Sequence, residues 1–185
     1  MIEQLIVLIT SLIANTFSAL AGGGAGLIQF PVLLFLGLPF SVALATHKIA
    51  SVALGVGATV RYFKEDFVQQ KFALFMLLSG VPAVILGSFT AIEIPDAIAK
   101  TALGLLTMSL GVYSVFQTQL GQTYTPQHRD KSGFIIGGLL LFLIGFLNGS
   151  LASGTGLFAT ILLVKWFGMD YKSAVAYTLV VVGLA

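Results

Sequence analysis

The sequence predicts an all-α integral membrane protein, a polytopic helix bundle with inverted-topology repeats and short broken helices after glycine-rich breaks. Three observations lead there. Hydrophobic residues make up 57% of the 185 and charged residues 9%, against about 25% charged in an ordinary soluble domain, so a charged globular surface is excluded. The charges are clustered, with none between Glu3 and Lys48, Lys71 and Glu93, Lys100 and Arg129, or Lys131 and Lys165; each gap holds at least one apolar span of about 20 residues. Runs such as FIIGGLLLFLIGF, Phe134–Phe146, are apolar all round, whereas a barrel strand alternates.

Each element follows from its boundaries. Segment 1 covers Leu5–Leu20 and ends at GGG, Gly22–Gly24, because glycine weakens a helix interior by about 0.5–1 kcal/mol relative to alanine. The start MIEQ lacks the positive region of a signal peptide, so this segment is read as a mature span. Segment 2, Leu27–Leu36, is short; Pro31 falls near its start, where a missing N–H is tolerated, and GLPF ends it. Segment 3 runs Ser41–Tyr62 and stops among basic residues. Segment 4, Phe72–Ile92, carries Pro82, which predicts a kink, and ends at EIPD. Segment 5 is Ala97–Phe116. A polar loop, Gln117–Ser132, precedes segment 6 (Gly133–Leu151), segment 7 (Leu157–Phe167, again short) and segment 8 (Tyr171 onward).

Basic residues orient the bundle. Arg61, Lys64 and Lys71 lie in the 3–4 loop, Arg129 and Lys131 in the 5–6 loop, and Lys165 and Lys172 beside the 7–8 turn. If every segment crosses, these loops share one side, the cytoplasmic one, and the amino terminus lies outside. The chain also repeats: Phe17–Lys48 parallels Phe146–Leu179, with Gly24 on Gly154, Gly26 on Gly156 and, after a one-residue insertion, Gly37 on Gly168, Ala43 on Ala174 and Ala45 on Ala176. The offset encloses five segments, an odd number, so the second copy enters from the opposite face, a plan used by secondary transporters. The expected organisation is a first five-segment repeat over 1–121, a cytoplasmic linker over 122–132 and an incomplete second repeat over 133–185. A full second copy needs roughly 75 further residues on this period, so the reading expects a fragment or a partner that supplies the remainder.

Both short segments begin at a glycine-rich break, AGGGAG and SLASGTG. Unwound backbone survives at membrane depth only against protein or a watery cavity. A helix amino terminus turned to that cavity offers free N–H groups and about +0.5 charge, which suits a small anion. The candidate binding residues are therefore Gly22, Gly23, Gly24, Gly26, Ser153, Gly154, Thr155 and Gly156; the plain alternative for the glycines is close helix packing. ATHK adds Thr46, His47 and Lys48. Lys48 is a cation deep in an apolar run, about 10 Å from the outer turn, either a counter-charge or a snorkelling side chain. His47 either handles protons or is a satisfied buried histidine. The two lie about 100° apart on a helix and cannot both point directly at one spot. Thr46 divides between backbone bonding and substrate contact; Gln29 and Asn148, near the breaks, are read foremost as partners for exposed backbone. Segment 8 has Tyr177 and Thr178 where segment 3 has Thr46 and His47, so the second site is not a chemical copy of the first. With no cysteine there is no thiolate metal or redox site, no cofactor pattern is present, and a small net charge of +2 with basic residues confined to short loops gives no reason to expect a nucleic-acid partner.

GGGAGLIQFPVLLFLGLPFSVALATHKIASV resembles the first motif of the TauE/SafE family of sulfite exporters, and GTGLFATILLVKWFGMDYKSAVAYT its second. The chain departs in carrying His47 where many relatives have Asn, in diluting the second glycine run with Ser153 and Thr155, and in lacking the end of a family member about twice the repeat in length. The resemblance implies export of small sulfur-containing anions, such as sulfite or organosulfonates, across the inner membrane, coupled to a proton or sodium gradient, with the lipid bilayer as surroundings and a homo-oligomer left open. Two alternatives stand beside it. One is a non-transporting membrane scaffold. The other is an intramembrane hydrolase using Ser153 and His47, which lacks a deep carboxylate to orient the histidine.

Overall fold

The computed structural model describes residues 2–64, 68–117 and 120–184. They form eight helices: α1 (Ile2–Ala21), α2 (Ala25–Phe35), α3 (Phe40–Lys64), α4 (Gln70–Glu93), α5 (Asp96–Phe116), α6 (Lys131–Ser150), α7 (Thr155–Lys165) and α8 (Tyr171–Leu184). Among the described residues, α1, α3, α4, α5 and α6 are long and apolar enough to cross a membrane. The chain is a multi-pass membrane protein whose large apolar side chains turn outward, Leu8, Leu12, Phe35, Leu78, Phe89, Leu105 and Leu139 among them, as lipid requires. Helices α2 and α7 have 11 residues each and rise only about 16 Å. Residues 65–67 of the 3–4 loop and 118–119 of the 5–6 loop lie outside the described residues.

Both breaks end in the same backbone device. Gly24 and Gly154, the residues before α2 and α7, adopt left-handed conformations (φ 91° and 73°), and neither helix has a side-chain cap. Gly37 and Gly168, just beyond the two short helices, are left-handed too (φ 82° and 66°). The sequence repeat is thus a repeat of long helix, glycine break, short helix, glycine turn, long helix. Several helices begin two or three residues ahead of the sequence reading; in α2, which begins two residues before Leu27, this puts Pro31 in the second turn. There its missing N–H removes the bond to the Leu27 carbonyl.

Two ends of the bundle are distinguishable. At one, the Gln69 amide donates to the Tyr177 hydroxyl (2.8 Å), the Thr125 and Gln127 amides to the Gly168 and Phe167 carbonyls (2.8 and 3.2 Å), and the Tyr171 amide to the Gly121 carbonyl (2.8 Å). The 3–4, 5–6 and 7–8 connections therefore meet, as the basic-residue pattern predicts. Arg129 closes this end, its guanidinium 4.8 Å above the Phe72 ring and 5.4 Å from that of Phe167. At the other end the Phe40 amide donates to Asp96 Oδ2 (3.2 Å), joining the 2–3 and 4–5 turns. Helix α2 runs towards the second end and α7 towards the first, so the short helices leave their breaks in opposite directions.

Glycine has a separate use where α4 crosses α6. A Cβ on Gly149 would stand 2.1 Å from the Val84 carbonyl oxygen, one on Gly87 2.2 Å from that of Phe146, and one on Gly145 2.6 Å from that of Gly80. These helices touch backbone to backbone, the close packing that small residues permit in lipid.

Candidate functional site

The two breaks cross in direct contact. A Cβ on Gly23 would lie 2.7 Å from both Cα and the carbonyl carbon of Gly156, and one on Gly156 would lie 2.9 Å from Gly23 Cα. No side chain fits on either residue. The loose end of α1 is closed by the second half: the Tyr171 hydroxyl donates to the Ala21 carbonyl (2.7 Å) and the Thr160 hydroxyl to that of Gly22 (2.8 Å). The second break is closed locally, the Thr155 hydroxyl donating to Asn148 Oδ1 (2.8 Å) across it.

Beside this crossing lies a cavity of about 140 Å³, room for several waters or one small oxyanion. Gly23, Gly24, Gly26, His47, Lys48, Asn148, Thr155 and Gly156 border it. So do three hydroxyl residues that sequence reasoning did not select, Ser18, Ser51 and Thr178. Ser51 could have been found, four residues from His47 on the same helix face. Both helix starts contribute backbone here: Ala25 and Gly26 open α2, Thr155 and Gly156 open α7, and first-turn amides have no acceptor within their helix. Lys48, partly buried, has no hydrogen-bond or ion-pair partner among the described residues. Among the described residues no carboxylate borders the cavity, so its fixed charge there and both helix dipoles are positive. His47 and Lys48 share it despite their angular separation.

Five candidates do not border it. Gly22 packs on Val175 of α8 and Gly154 on Leu110 of α5. Thr46 returns its hydroxyl to the Val42 carbonyl (2.8 Å), the backbone option. Ser153 is fully buried, its Oγ without a hydrogen-bond partner. Gln29, also fully buried, corrects the expectation that it serves exposed backbone. It binds two side chains, Oε1 facing His47 Nδ1 at 2.8 Å and Nε2 donating to Ser11 Oγ at 2.7 Å. Asn148 likewise serves a side chain, Thr155. The second copy has a comparable contact: Thr178, which stands on His47, meets Thr160 at 3.0 Å, one residue beyond Ala159, which the frame of the short helices sets on Gln29. The short helix ties to the long helix in the same way twice, once through an imidazole and once through hydroxyls.

Interrupted helices whose amino ends share a polar cavity define the class, a broken-helix membrane protein built from repeats. The chain belongs to the sulfite exporter TauE/SafE family, whose model matches residues 7–185. It is 29% identical over 170 residues to a probable membrane transporter protein, ORF9, of Sinorhizobium sp, covering 92% of this chain and 64% of that one. It is also 29% identical over 166 residues to a probable membrane transporter protein of Haemophilus influenzae (89% and 64%), and 24% identical over 206 residues to the probable membrane transporter protein YunE of Bacillus subtilis (97% and 74%). The chain thus spans 64% of the length of the first two relatives. No solved structure matches it.

Proposed function

We propose that the protein is a secondary transporter, acting as an exporter of small sulfur-containing anions such as sulfite or organosulfonates across the inner membrane, and not an enzyme. The observation that carries this reading is the cavity bordered by two helix amino ends and by Lys48, a cation without a partner among the described residues. A small oxyanion would supply the missing negative charge and accept from first-turn amides. The crossing of the breaks gives the site a position from which either end of the bundle could be opened. The hydrolase alternative loses support because an amide, Gln29, occupies the place an orienting carboxylate would need.

Flux of radiolabelled sulfite into proteoliposomes holding the full-length protein tests the proposal. Lys48→Gln removes a charge-assisted contact of about 1.5–3 kcal/mol, so half-saturation should rise roughly 10- to 150-fold. Absence of flux for sulfite and for organosulfonates, or a Lys48→Gln variant that transports like the parent, would overturn it. The scaffold reading draws on the backbone contact of α4 with α6. It predicts that Lys48→Gln is silent while Gly24→Leu disturbs assembly.

A further inference from the structure

His47 is the imidazole in the cavity wall, and both of its ring nitrogens have polar neighbours. Gln29 Oε1 faces Nδ1 at 2.8 Å while its Nε2 donates to Ser11 Oγ at 2.7 Å. With the amide in this orientation its carbonyl oxygen accepts, Nδ1 is the N–H and Nε2 keeps its lone pair. Nε2 lies beside the first turn of α2, 3.1 Å from where a Cβ on Gly26 would stand, and Ser153 Cβ is 3.2 Å from the same point. Ser51 Oγ is 3.4 Å from Nε2 but donates its hydrogen to the His47 carbonyl at 3.0 Å. With Ser51 on the shorter of its two bonds, the Nε2 lone pair is open to a ligand in the cavity.

The surroundings of the ring are few. Helix α1 reaches it through Ser11 and Gln29; α2 adds Gln29 itself and the Phe30 ring, 5.9 Å away and edge-on. Helix α3 adds Ser51 and Lys48, the second break Ser153, and α8 Thr178 across the cavity. Lys48 is the one charged group among them. An imidazolium in the empty cavity would face that ammonium with no negative charge between them. An anion supplies the negative charge. Conversely, a neutral His47 turns a lone pair towards the anion, whereas a protonated one turns an N–H donor.

We infer that His47 Nε2 is the proton site of the transport cycle, and that the cavity binds one anion together with one proton. The inference rests on the anion reading given above. The balance is simple: the anion enters intact, one proton passes from hydronium or a buffer acid to Nε2, leaving water or the buffer base in solution, and the cavity gains no net charge. Gln29 is a positioning residue that keeps Nδ1 protonated and Nε2 open. In the second copy Thr178 stands where His47 does and meets Thr160, neither of which titrates in this range, so the stoichiometry is one proton per anion and not two.

Calorimetric titration of the full-length protein in detergent micelles with methanesulfonate tests this, because the probe stays ionised between about pH 5 and 8, the range in which histidine titrates. Repeating the titration in two buffers of different ionisation enthalpy gives the protons taken up. Uptake should approach one per anion, and affinity should fall about tenfold per pH unit at the alkaline end. His47→Asn should bind with no proton uptake and little pH dependence. Gln29→Glu should extend tight binding towards higher pH, since a carboxylate on Nδ1–H favours the imidazolium. In a His128→Gln background, the nitrogen NMR signal of His47 Nε2 should change from lone-pair to N–H character when methanesulfonate is added. Binding by the parent protein without proton uptake would overturn the inference and leave the anion reading standing. Undiminished uptake by His47→Asn would overturn it in the same way. No binding of methanesulfonate or sulfite at any pH would overturn both.

Discussion

Replacing Gly23 by alanine asks the crossed breaks to accept one methyl group. The new Cβ would meet Gly156 Cα and carbonyl carbon at 2.7 Å and the Leu157 amide nitrogen at 3.0 Å. Ordinary carbon contacts begin near 3.5 Å, so the overlap is about 0.8 Å, and every atom struck is backbone that cannot rotate away. Overpacking of this kind costs about 1–3 kcal/mol. Gly23 also sits at φ +128°, a conformation that costs a residue with a side chain about 1–3 kcal/mol more. The expected loss is about 2–6 kcal/mol. Gly111→Ala is the matched control: it lies inside α5 with nothing within 4 Å of a built Cβ, where alanine should stabilise by about 0.5–1 kcal/mol. Thermal unfolding in micelles, followed by the single tryptophan, Trp166, should move in opposite directions for the two variants. A Gly23→Ala protein that melts with the parent would refute the backbone contact on which the cavity geometry depends.

Two further outcomes follow from features away from the cavity. Gly149→Ala would put a Cβ 2.1 Å from the Val84 carbonyl oxygen and 2.8 Å from the Ser88 amide nitrogen, so it should lower the melting temperature by a cost at or above the upper end of ~1–3 kcal/mol, whereas Gly104→Ala, with open space around it, should not. Asp130 caps α6, its carboxylate accepting from the Ser132 hydroxyl and from the Gly133 amide at 3.3 Å. Those bonds, Ser132's first, hold its carboxyl below the ordinary carboxylate value. A folded-state value that is lowered gives a contribution present above the unfolded value of about 3.9 and lost as pH falls through the folded one. Hydrogen-exchange protection in the first turn of α6 should therefore fall only at strongly acid pH in the parent and be reduced at every pH in Asp130→Ala.

The helices were legible because lipid imposes a simple code: every described helix begins and ends within three residues of its apolar run. The breaks were legible because glycine recurred at Gly24 and Gly154 in a matching frame, and both prove left-handed. What the breaks touch was not legible. Contact between Gly23 and Gly156 is a property of two distant segments, and nothing local marks it. Nor does any periodicity link Gln29 to His47, 18 residues apart on different helices. The sequence offered Gln29 a backbone role because an amide can serve either partner equally well; burial against a second helix decided the matter. The α6 glycines that meet α4 were readable in principle, since Gly145 and Gly149 fall four apart on one face. They were obscured because the all-round hydrophobicity that identifies a span leaves its packing face unmarked.

The end of α1 has a bearing on how the protein is made. Its last carbonyls, those of Ala21 and Gly22, are satisfied by hydroxyls that follow them by 150 and 138 positions. When α1 leaves the ribosome those acceptors have no mate, and bare carbonyls in hydrocarbon cost several kcal/mol each. The first break must therefore stay wet, at the insertion machinery or in a water-filled gap, until α7 and α8 have been synthesised. Assembly is then gated by helices that emerge well after α1, and a ribosome stalled before Thr160 leaves an amino-terminal segment whose glycine break is still unsatisfied.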